Sequence, residues 1–143
     1  MRSRESIQQE VYEMIRDVLC VEAGEIRPDA RFEKDLGGES IDVLELSFHC
    51  EKRFGVKISF HNAFPADKLH IDDEGKLTAG SIAYIKSQFP YLDLGEFEKN
   101  PHIGRILELL TVQVITDIVV STVQEADMQN TSQGTATPSP QAV

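Results

Sequence analysis

The chain lacks the features that mark several protein classes. It has no tryptophan, only two cysteines among 143 residues, and no apolar run long enough to cross a bilayer. Its first residues, MRSRESIQQE, contain no apolar core of the kind a secretory signal needs. With so few cysteines, Cys20 and Cys50 are predicted to be buried free thiols and not a disulfide or a metal site. These absences predict a cytoplasmic protein with no membrane span and no bound metal.

Basic residues are also scarce. The chain has 14 lysines and arginines against 24 acidic residues, and its net charge is -10. An acidic surface repels nucleic acid and anionic membranes, whereas it suits protein partners that carry basic docking patches. The composition therefore excludes nucleic acid as an expected partner. The length fits one modest domain with additions.

The most informative stretch is residues 35–54, DLGGESIDVLELSFHCEKRF. Ser is a favoured N-cap, and Gly37 and Gly38 permit a tight entry, so a helix is predicted to begin at Ser40. On a helical wheel its apolar residues form two opposite faces. One face holds Val43, Leu46, Cys50 and Phe54; the other holds Ile41, Leu44 and Phe48. A surface helix normally buries one apolar stripe, so the second face predicts a partner or a ligand.

The same stretch resembles the D-x-G-x-D-S-L motif of acyl carrier proteins, whose serine carries 4'-phosphopantetheine. The residues that align with the motif are Asp35, Gly37, Ser40 and Ile41. The resemblance implies that Ser40 is the modified serine. Two neighbours depart from the commonest pattern, because Glu39 stands where Asp is usual and Gly38 where Ala is frequent.

Elementary electrostatics supports a phosphate at this position. A phosphodiester on Ser40 would sit at a helix N-terminus, where unpaired N–H groups and the positive end of the helix dipole favour an anion. The alternative is that Ser40 is only an N-cap.

Helical spacing also predicts a first helix over residues 5–20, packed against the Val43 face. A long loop follows, and the helix from Ser40 is predicted to stop at Gly55. Two segments could form the closing helix, 78–89 and 111–124. We favour the second because TVQVITDIV resembles the T-V-Q-A-A-I-D-Y-I helix that closes many acyl carrier proteins.

On that choice, residues 1–124 form a carrier domain with an insertion at about 60–109, and residues 125–143 are predicted to be a disordered tail. The insertion is too apolar for a solvated linker; its large apolar residues are Phe60, Phe64, Leu69, Ile71, Phe89, Tyr91, Leu92, Leu94 and Phe97. It either enlarges the core or forms a wall beside Leu44 that lengthens the space for an acyl chain. We favour the enlarged core, since apolar residues usually pack.

Two other chemistries fail on spacing. The sequence around Ser40 lacks the second glycine of a G-x-S-x-G nucleophile elbow, and no predicted strand precedes it. The acidic segment 71–78, IDDEGKLT, suggests a calcium loop, yet Lys76 and Leu77 occupy positions that need a ligand and a glycine. This segment is predicted to be a solvated turn.

The resemblance thus implies an all-α antiparallel helical bundle with an inserted helical segment. It implies a carrier without catalytic residues, which holds acyl groups as thioesters on phosphopantetheine at Ser40. The expected partners are a phosphopantetheinyl transferase and acyl-loading, ketosynthase-type or acyltransferase enzymes of fatty-acid, lipid or polyketide biosynthesis. The expected partner and acyl-chain surface comprises Glu39, Ile41, Asp42, Leu44, Glu45 and Phe48.

Two alternatives remain open at this stage. A peptidyl or aryl carrier would use the same serine, although the strongly acidic helix argues against it. An unmodified helical scaffold would bind an enzyme complex and carry no cargo. Lys52 and Arg53 depart from the acidic end of this helix in many relatives, so partner choice there is expected to differ.

Overall fold

The computed structural model describes residues 2–60 and 68–136, and the side chains of residues 2–60 and 68–129. Its α-helices are α1 (Arg4–Leu19), α2 (Ser40–Phe54), α3 (Ala79–Gln88), α4 (Gly95–Glu98) and α5 (Val112–Ala136). Short 3₁₀ helices span Ala23–Glu25 and Ile103–Leu109. Within the described residues the β-type pairing consists of isolated bridges. The predicted all-α helical bundle is confirmed.

The main core lies where α1 packs against α2 and α5. The buried residues of α1 are Ile7, Val11, Met14 and Ile15, and those of α2 are Val43, Leu46, Cys50 and Phe54. This is the face of α2 that the sequence predicted to pack against the first helix. The helix ends at Gly55, whose φ of 71° lies in the left-handed region that glycine adopts without strain.

The two cysteines have different surroundings. Cys50 is fully buried in the main core, and burial raises the pKa of its thiol to about 12. Cys20 is exposed, so the prediction that both thiols are buried is wrong for this residue. The physical reason is its place at the C-cap of α1, where a left-handed backbone turns the chain away from the buried face.

The closing helix is α5, and its buried face consists mainly of β-branched residues: Val112, Val114, Ile115, Val119, Val120 and Val123. The helix continues beyond Gln124 to Ala136, although the sequence predicted a disordered tail from residue 125. A tertiary contact holds this extension, because the Arg2 guanidinium donates to both carboxylate oxygens of Asp127 at 2.8 and 3.1 Å. The last part of the predicted tail, residues 137–143, lies outside the described residues.

The predicted insertion has a small hydrophobic core of its own. This insert cluster consists of Leu77, Ile85, Leu94, Phe97 and Leu109. Phe89 and Leu92 contact both this cluster and the main core. The insertion is also tied to α5, since the Tyr91 hydroxyl donates to Asp117 at 2.6 Å and Arg4 of α1 pairs with the same carboxylate. Phe64 of the insertion lies outside the described residues.

The acidic segment 71–78 forms a tight turn around Asp72. One carboxylate oxygen of Asp72 accepts the N–H groups of Glu74 and Lys76 at 2.8 and 2.9 Å. These backbone hydrogen bonds, the one from Lys76 foremost, lower the pKa of Asp72. In the parts of the chain with described side chains, His, Cys, Asp and Glu form no group of three that could hold a metal ion. The helices described there include none with the length and apolarity to span a membrane.

Arg2 makes the extension of α5 sensitive to pH. Its hydrogen bonds lower the pKa of Asp127 to about 2, below the value of roughly 4 expected in the unfolded chain. A depressed pKa stabilises the fold above the unfolded value, and this contribution is lost as pH falls through about 2. We expect Arg2→Ala to lower the free energy of unfolding near neutral pH, and the difference from wild type to shrink in acid. Urea unfolding at a series of pH values measures it.

The exposed pair Arg27–Asp29, 3.8 Å apart, provides the control, because Arg27→Ala should change stability little at any pH. A difference between wild type and Arg2→Ala that is the same at all pH values would contradict the expectation.

The separate insert cluster predicts local unfolding of the insertion. Phe97 is 3% exposed, and replacing a buried Phe by Ala typically costs about 3–5 kcal/mol. We expect Phe97→Ala to accelerate amide hydrogen exchange in α3, while the amides of α1 and α2 keep their protection. Equal acceleration in α1 would show that the insertion and the bundle unfold as one unit.

Candidate functional site

Ser40, the predicted attachment residue, is the first residue of α2 and is exposed. The helix begins where the sequence predicted, but the N-cap is Glu39, so the N-cap role predicted for Ser40 is wrong. The reason lies three residues along, where Asp42 accepts the N–H of Glu39 at 2.9 Å. The Ser40 hydroxyl makes no hydrogen bond to any described residue and is free for chemistry.

The start of α2 suits a covalently attached phosphate. The first N–H groups of a helix have no acceptor within it, and those of Ser40 and Ile41 find none elsewhere in the described chain. These donors and the helix dipole favour an anion. The carboxylates of Glu39 and Asp42 oppose it, but repulsion between groups at the surface is weak in water and is screened by salt. The residues present therefore fit a phosphopantetheine group on Ser40.

The other residues of the attachment motif shape the loop before α2. Asp35 accepts the N–H of Arg31 at 2.8 Å and so closes a turn, and it makes no described contact with Ser40. Gly37 has a φ of 76°, a left-handed conformation that other residues rarely adopt, and its N–H donates to Glu33 at 3.0 Å. Both residues therefore act on the path of the chain and not on the serine directly.

The second apolar face of α2 is open to solvent. Ile41 is 68% exposed, Leu44 is 45% exposed and Phe48 is 61% exposed. Three large apolar side chains in a row on one helix face are unusual at a free surface. Glu39 and Glu45 are also exposed, and Asp42 is half-buried, so acidic groups flank the stripe. The structure thus brings together all six residues of the predicted partner surface on α2 and its N-cap.

An open groove of about 340 Å³ borders this stripe at Leu44 and Phe48. Its lining comes from α2 and the segment after it, namely Leu44, Ser47, Phe48, Glu51, Lys57, Ile58 and Ser59. The described residues 68–109 of the insertion are absent from this lining and pack instead in the insert cluster and against α5. For residues 68–109, this packing favours the enlarged core over an acyl-chain wall beside Leu44.

The two basic residues near the end of α2 serve different purposes. The Arg53 guanidinium lies 3.7 Å from Glu10, 3.2 Å from Glu13 and 3.3 Å from Asp17, all on α1. It therefore ties α2 to α1 and is not free for a partner. Lys52 is exposed and makes no ion pair within the described residues, so its charge is available at the surface.

Phe32 shapes this region but is not part of the attachment motif. Phe32 is fully buried beneath the loop that leads to Ser40, and its ring lies against Gly38. In the sequence Phe32 is only one apolar residue of the long loop. One indication in the sequence that position 38 is crowded is that Gly38 stands where the motif frequently has Ala.

Comparisons with known proteins identify the family of this chain. The family described as "Phosphopantetheine attachment site" matches residues 9–69. An acyl carrier protein of Solidesulfovibrio magneticus is 44% identical over 64 residues, which make up 45% of this chain and 82% of the relative. Acyl carrier proteins of two Nitratidesulfovibrio vulgaris strains are also similar. The Miyazaki F protein is 35% identical over 83 residues, and the DP4 protein is 41% identical over 58 residues.

The Miyazaki F match spans 97% of that relative but 58% of this chain, so this chain has more sequence than the relative accounts for. The DP4 match spans 76% of the relative and 41% of this chain. The chain belongs to the acyl carrier protein family and carries acyl groups on a covalently bound 4'-phosphopantetheine arm.

Proposed function

We propose that Ser40 bears the phosphopantetheine arm and that the chain presents acyl thioesters from this position. The observation that carries the proposal is the free, exposed hydroxyl of Ser40 at the N-terminus of α2. Glu39 is the N-cap of α2, and its N–H donates to Asp42, so the Ser40 hydroxyl is not used as a helix cap. The unpaired N–H groups beside it favour the phosphate of the arm.

The arm supplies a terminal thiol on which an acyl group is held as a thioester. The chain's own part is to hold Ser40 at the surface and to offer a docking face beside it. No described base is hydrogen-bonded to the Ser40 hydroxyl, and an unassisted serine is a weak nucleophile. A separate magnesium-dependent transferase therefore has to activate it and bring coenzyme A. On this proposal the chain is a carrier and not itself an enzyme.

The docking face is the exposed stripe of Ile41, Leu44 and Phe48. Burial of such side chains against a partner stabilises a complex by about 25 cal/mol per Å² of apolar surface removed from water. The acidic groups of Glu39, Asp42 and Glu45 steer basic patches of enzymes toward the stripe and speed encounter. The free charge of Lys52 lies near the other end of α2, where a partner with a carboxylate is favoured.

The partners that fit this face are the transferase and the acyl-loading, ketosynthase-type or acyltransferase enzymes of acyl-chain biosynthesis. We infer that these encounters take place in the cytoplasm, where the acidic composition suits a freely diffusing carrier. We also propose that residues 1–124 are the carrier domain, which the continuation of α5 extends to Ala136, and that the described part of the insertion at about 60–109 packs on its flank. The insert cluster and the hydrogen bond from Tyr91 of the insertion to Asp117 of α5 support this division.

Loss of the Ser40 hydroxyl tests the attachment directly. We expect the wild-type protein to gain the mass of one phosphopantetheine group when incubated with coenzyme A, magnesium and a broad-specificity phosphopantetheinyl transferase. Ser40→Ala should gain nothing, because the only proposed acceptor oxygen is gone. Intact-mass spectrometry measures both.

Ser87→Ala is the matched control, since Ser87 is an exposed helical serine far along the chain in α3. It should load as the wild type does. A folded wild-type protein that gains no mass would favour the unmodified scaffold, and a mass gain that survives Ser40→Ala would move the attachment to another residue.

The two faces of α2 should respond differently to truncation. Phe48 is 61% exposed, so Phe48→Ala is expected to change the free energy of unfolding by less than about 0.5 kcal/mol. It should still slow acyl loading of the phosphopantetheinylated protein by a partner enzyme, because the partner loses its apolar contact. Urea unfolding and loading kinetics measure the two effects.

Leu46→Ala, on the buried face, is expected to cost about 2–5 kcal/mol of stability. An equal loss of stability in Phe48→Ala would show that the stripe is packed in the fold and is not a docking face.

A further inference from the structure

The loop before α2 is paired with the segment that enters α5. The N–H of Phe32 donates to the carbonyl of Leu110 at 2.8 Å, and the N–H of Val112 donates to the carbonyl of Ala30 at 2.9 Å. Between these two bonds, Arg31 and Thr111 form an antiparallel bridge. The pairing joins the loop to the end of the insertion, because Leu110 directly follows the 3₁₀ helix Ile103–Leu109.

Phe32 is the residue through which this anchor reaches the attachment site. Its side chain is 0% exposed and belongs to the main core. Its carbonyl accepts the N–H of Gly38 at 2.8 Å, and its ring lies against the same glycine. Gly38 stands two residues before Ser40. One buried side chain thus connects the core, the entry to α5 and the approach to the attachment serine.

The contact leaves no room for a side chain at position 38. A Cβ built on Gly38 would lie 2.4 and 2.6 Å from two ring carbons of Phe32 and 2.9 Å from its carbonyl oxygen. Gly38 does not adopt the left-handed backbone conformation that Gly37 adopts, so its restriction is steric and not conformational. An alanine there would have to displace a fully buried ring or break the hydrogen bond that the Phe32 carbonyl accepts.

We propose that Phe32 is a positioning residue for Ser40, and that Gly38 is required in this chain because the Phe32 ring fills the space that an alanine would take. The proposal rests on the attachment at Ser40 proposed above. Phe32 acts through the backbone of Gly38 and Glu39, which sets where α2 begins. A transferase that binds Ser40 contacts both the loop and the first turn of α2. A shift of the loop relative to α2 therefore misplaces the Ser40 hydroxyl with respect to the transferase. Misplacement by about 1 Å can cost an enzyme on the order of a hundredfold in rate.

The rate of phosphopantetheine transfer tests the proposal. The full chain without the arm is incubated with coenzyme A, magnesium and a broad-specificity transferase, and kcat/KM is measured by intact mass over time. We expect Gly38→Ala to lower kcat/KM by roughly tenfold or more. Phe32→Leu makes room for the new methyl group, so Gly38→Ala combined with Phe32→Leu should recover to within about threefold of Phe32→Leu alone.

Two controls separate positioning from loss of stability. Gly80→Ala adds a methyl group to a helical glycine with open space around it, and it should leave kcat/KM unchanged. Met14→Ala removes a fully buried side chain from α1 and destabilises the fold away from the loop. It should also leave kcat/KM unchanged at temperatures where circular dichroism shows the variant folded.

Three results would overturn the proposal: transfer to Gly38→Ala at the wild-type rate, no recovery in the double variant, or an equal slowing in Met14→Ala. In each of them the wild type still loads and Ser40→Ala does not, so the attachment at Ser40 stands. If Ser40→Ala loads as the wild type does, the attachment itself is wrong and the positioning role falls with it.

Discussion

Burial of one face of α2 against α1 is the interaction on which the rest of this structure depends. Each large apolar side chain on that face stabilises the fold by roughly 1.5–3 kcal/mol when it leaves water. Once Val43 and Leu46 are committed to the core, helical geometry places Leu44 and Phe48 on the opposite side, in solvent. The exposed stripe is therefore a geometric consequence of the packed face. Arg53 reinforces the choice through its three carboxylate neighbours on α1.

The same helix explains why a carrier function suits this position. A helix that begins at the surface has free N–H groups at its first residue, and here a carboxylate caps the preceding residue, so the Ser40 hydroxyl has no described partner. The exposed stripe starts with the next residue, Ile41. An arm attached at Ser40 and an enzyme docked on the stripe would thus meet at one end of α2. On the proposed function, attachment and recognition would share one rigid element, which would keep their relative geometry constant.

The described part of the insertion, residues 68–109, enlarges the molecule without lining the groove. Its cluster around Phe97 is distinct from the main core, and Phe89 and Leu92 join the two. Its exit segment pairs with the loop that leads to Ser40, through the hydrogen bond between Phe32 and Leu110. The described part of the insertion is therefore linked to the loop before Ser40 through Leu110, the residue that follows it, and residues 68–109 do not line the groove.

Local chemistry was enough to predict several features. The start of α2, its two faces, its end at Gly55 and the choice of α5 as the closing helix all follow from helical periodicity, glycine and a motif, which act over a few residues. The attachment at Ser40 stays a prediction, and it too rests on a contiguous loop–serine–helix pattern. The sequence also indicated that the insertion was too apolar to be a solvated linker.

Tertiary structure alone decided the rest. Cys20 is exposed because a left-handed cap turns it outward, and α5 extends past Gln124 where Arg2 binds Asp127. The contact of Phe32 with Gly38 is equally invisible in the sequence, since composition shows that a phenylalanine will be buried but not against what. The sequence by itself determined which residues seek the interior and where helices begin. Contacts between distant segments depend on how the helices pack, and that arrangement exists only in the folded chain.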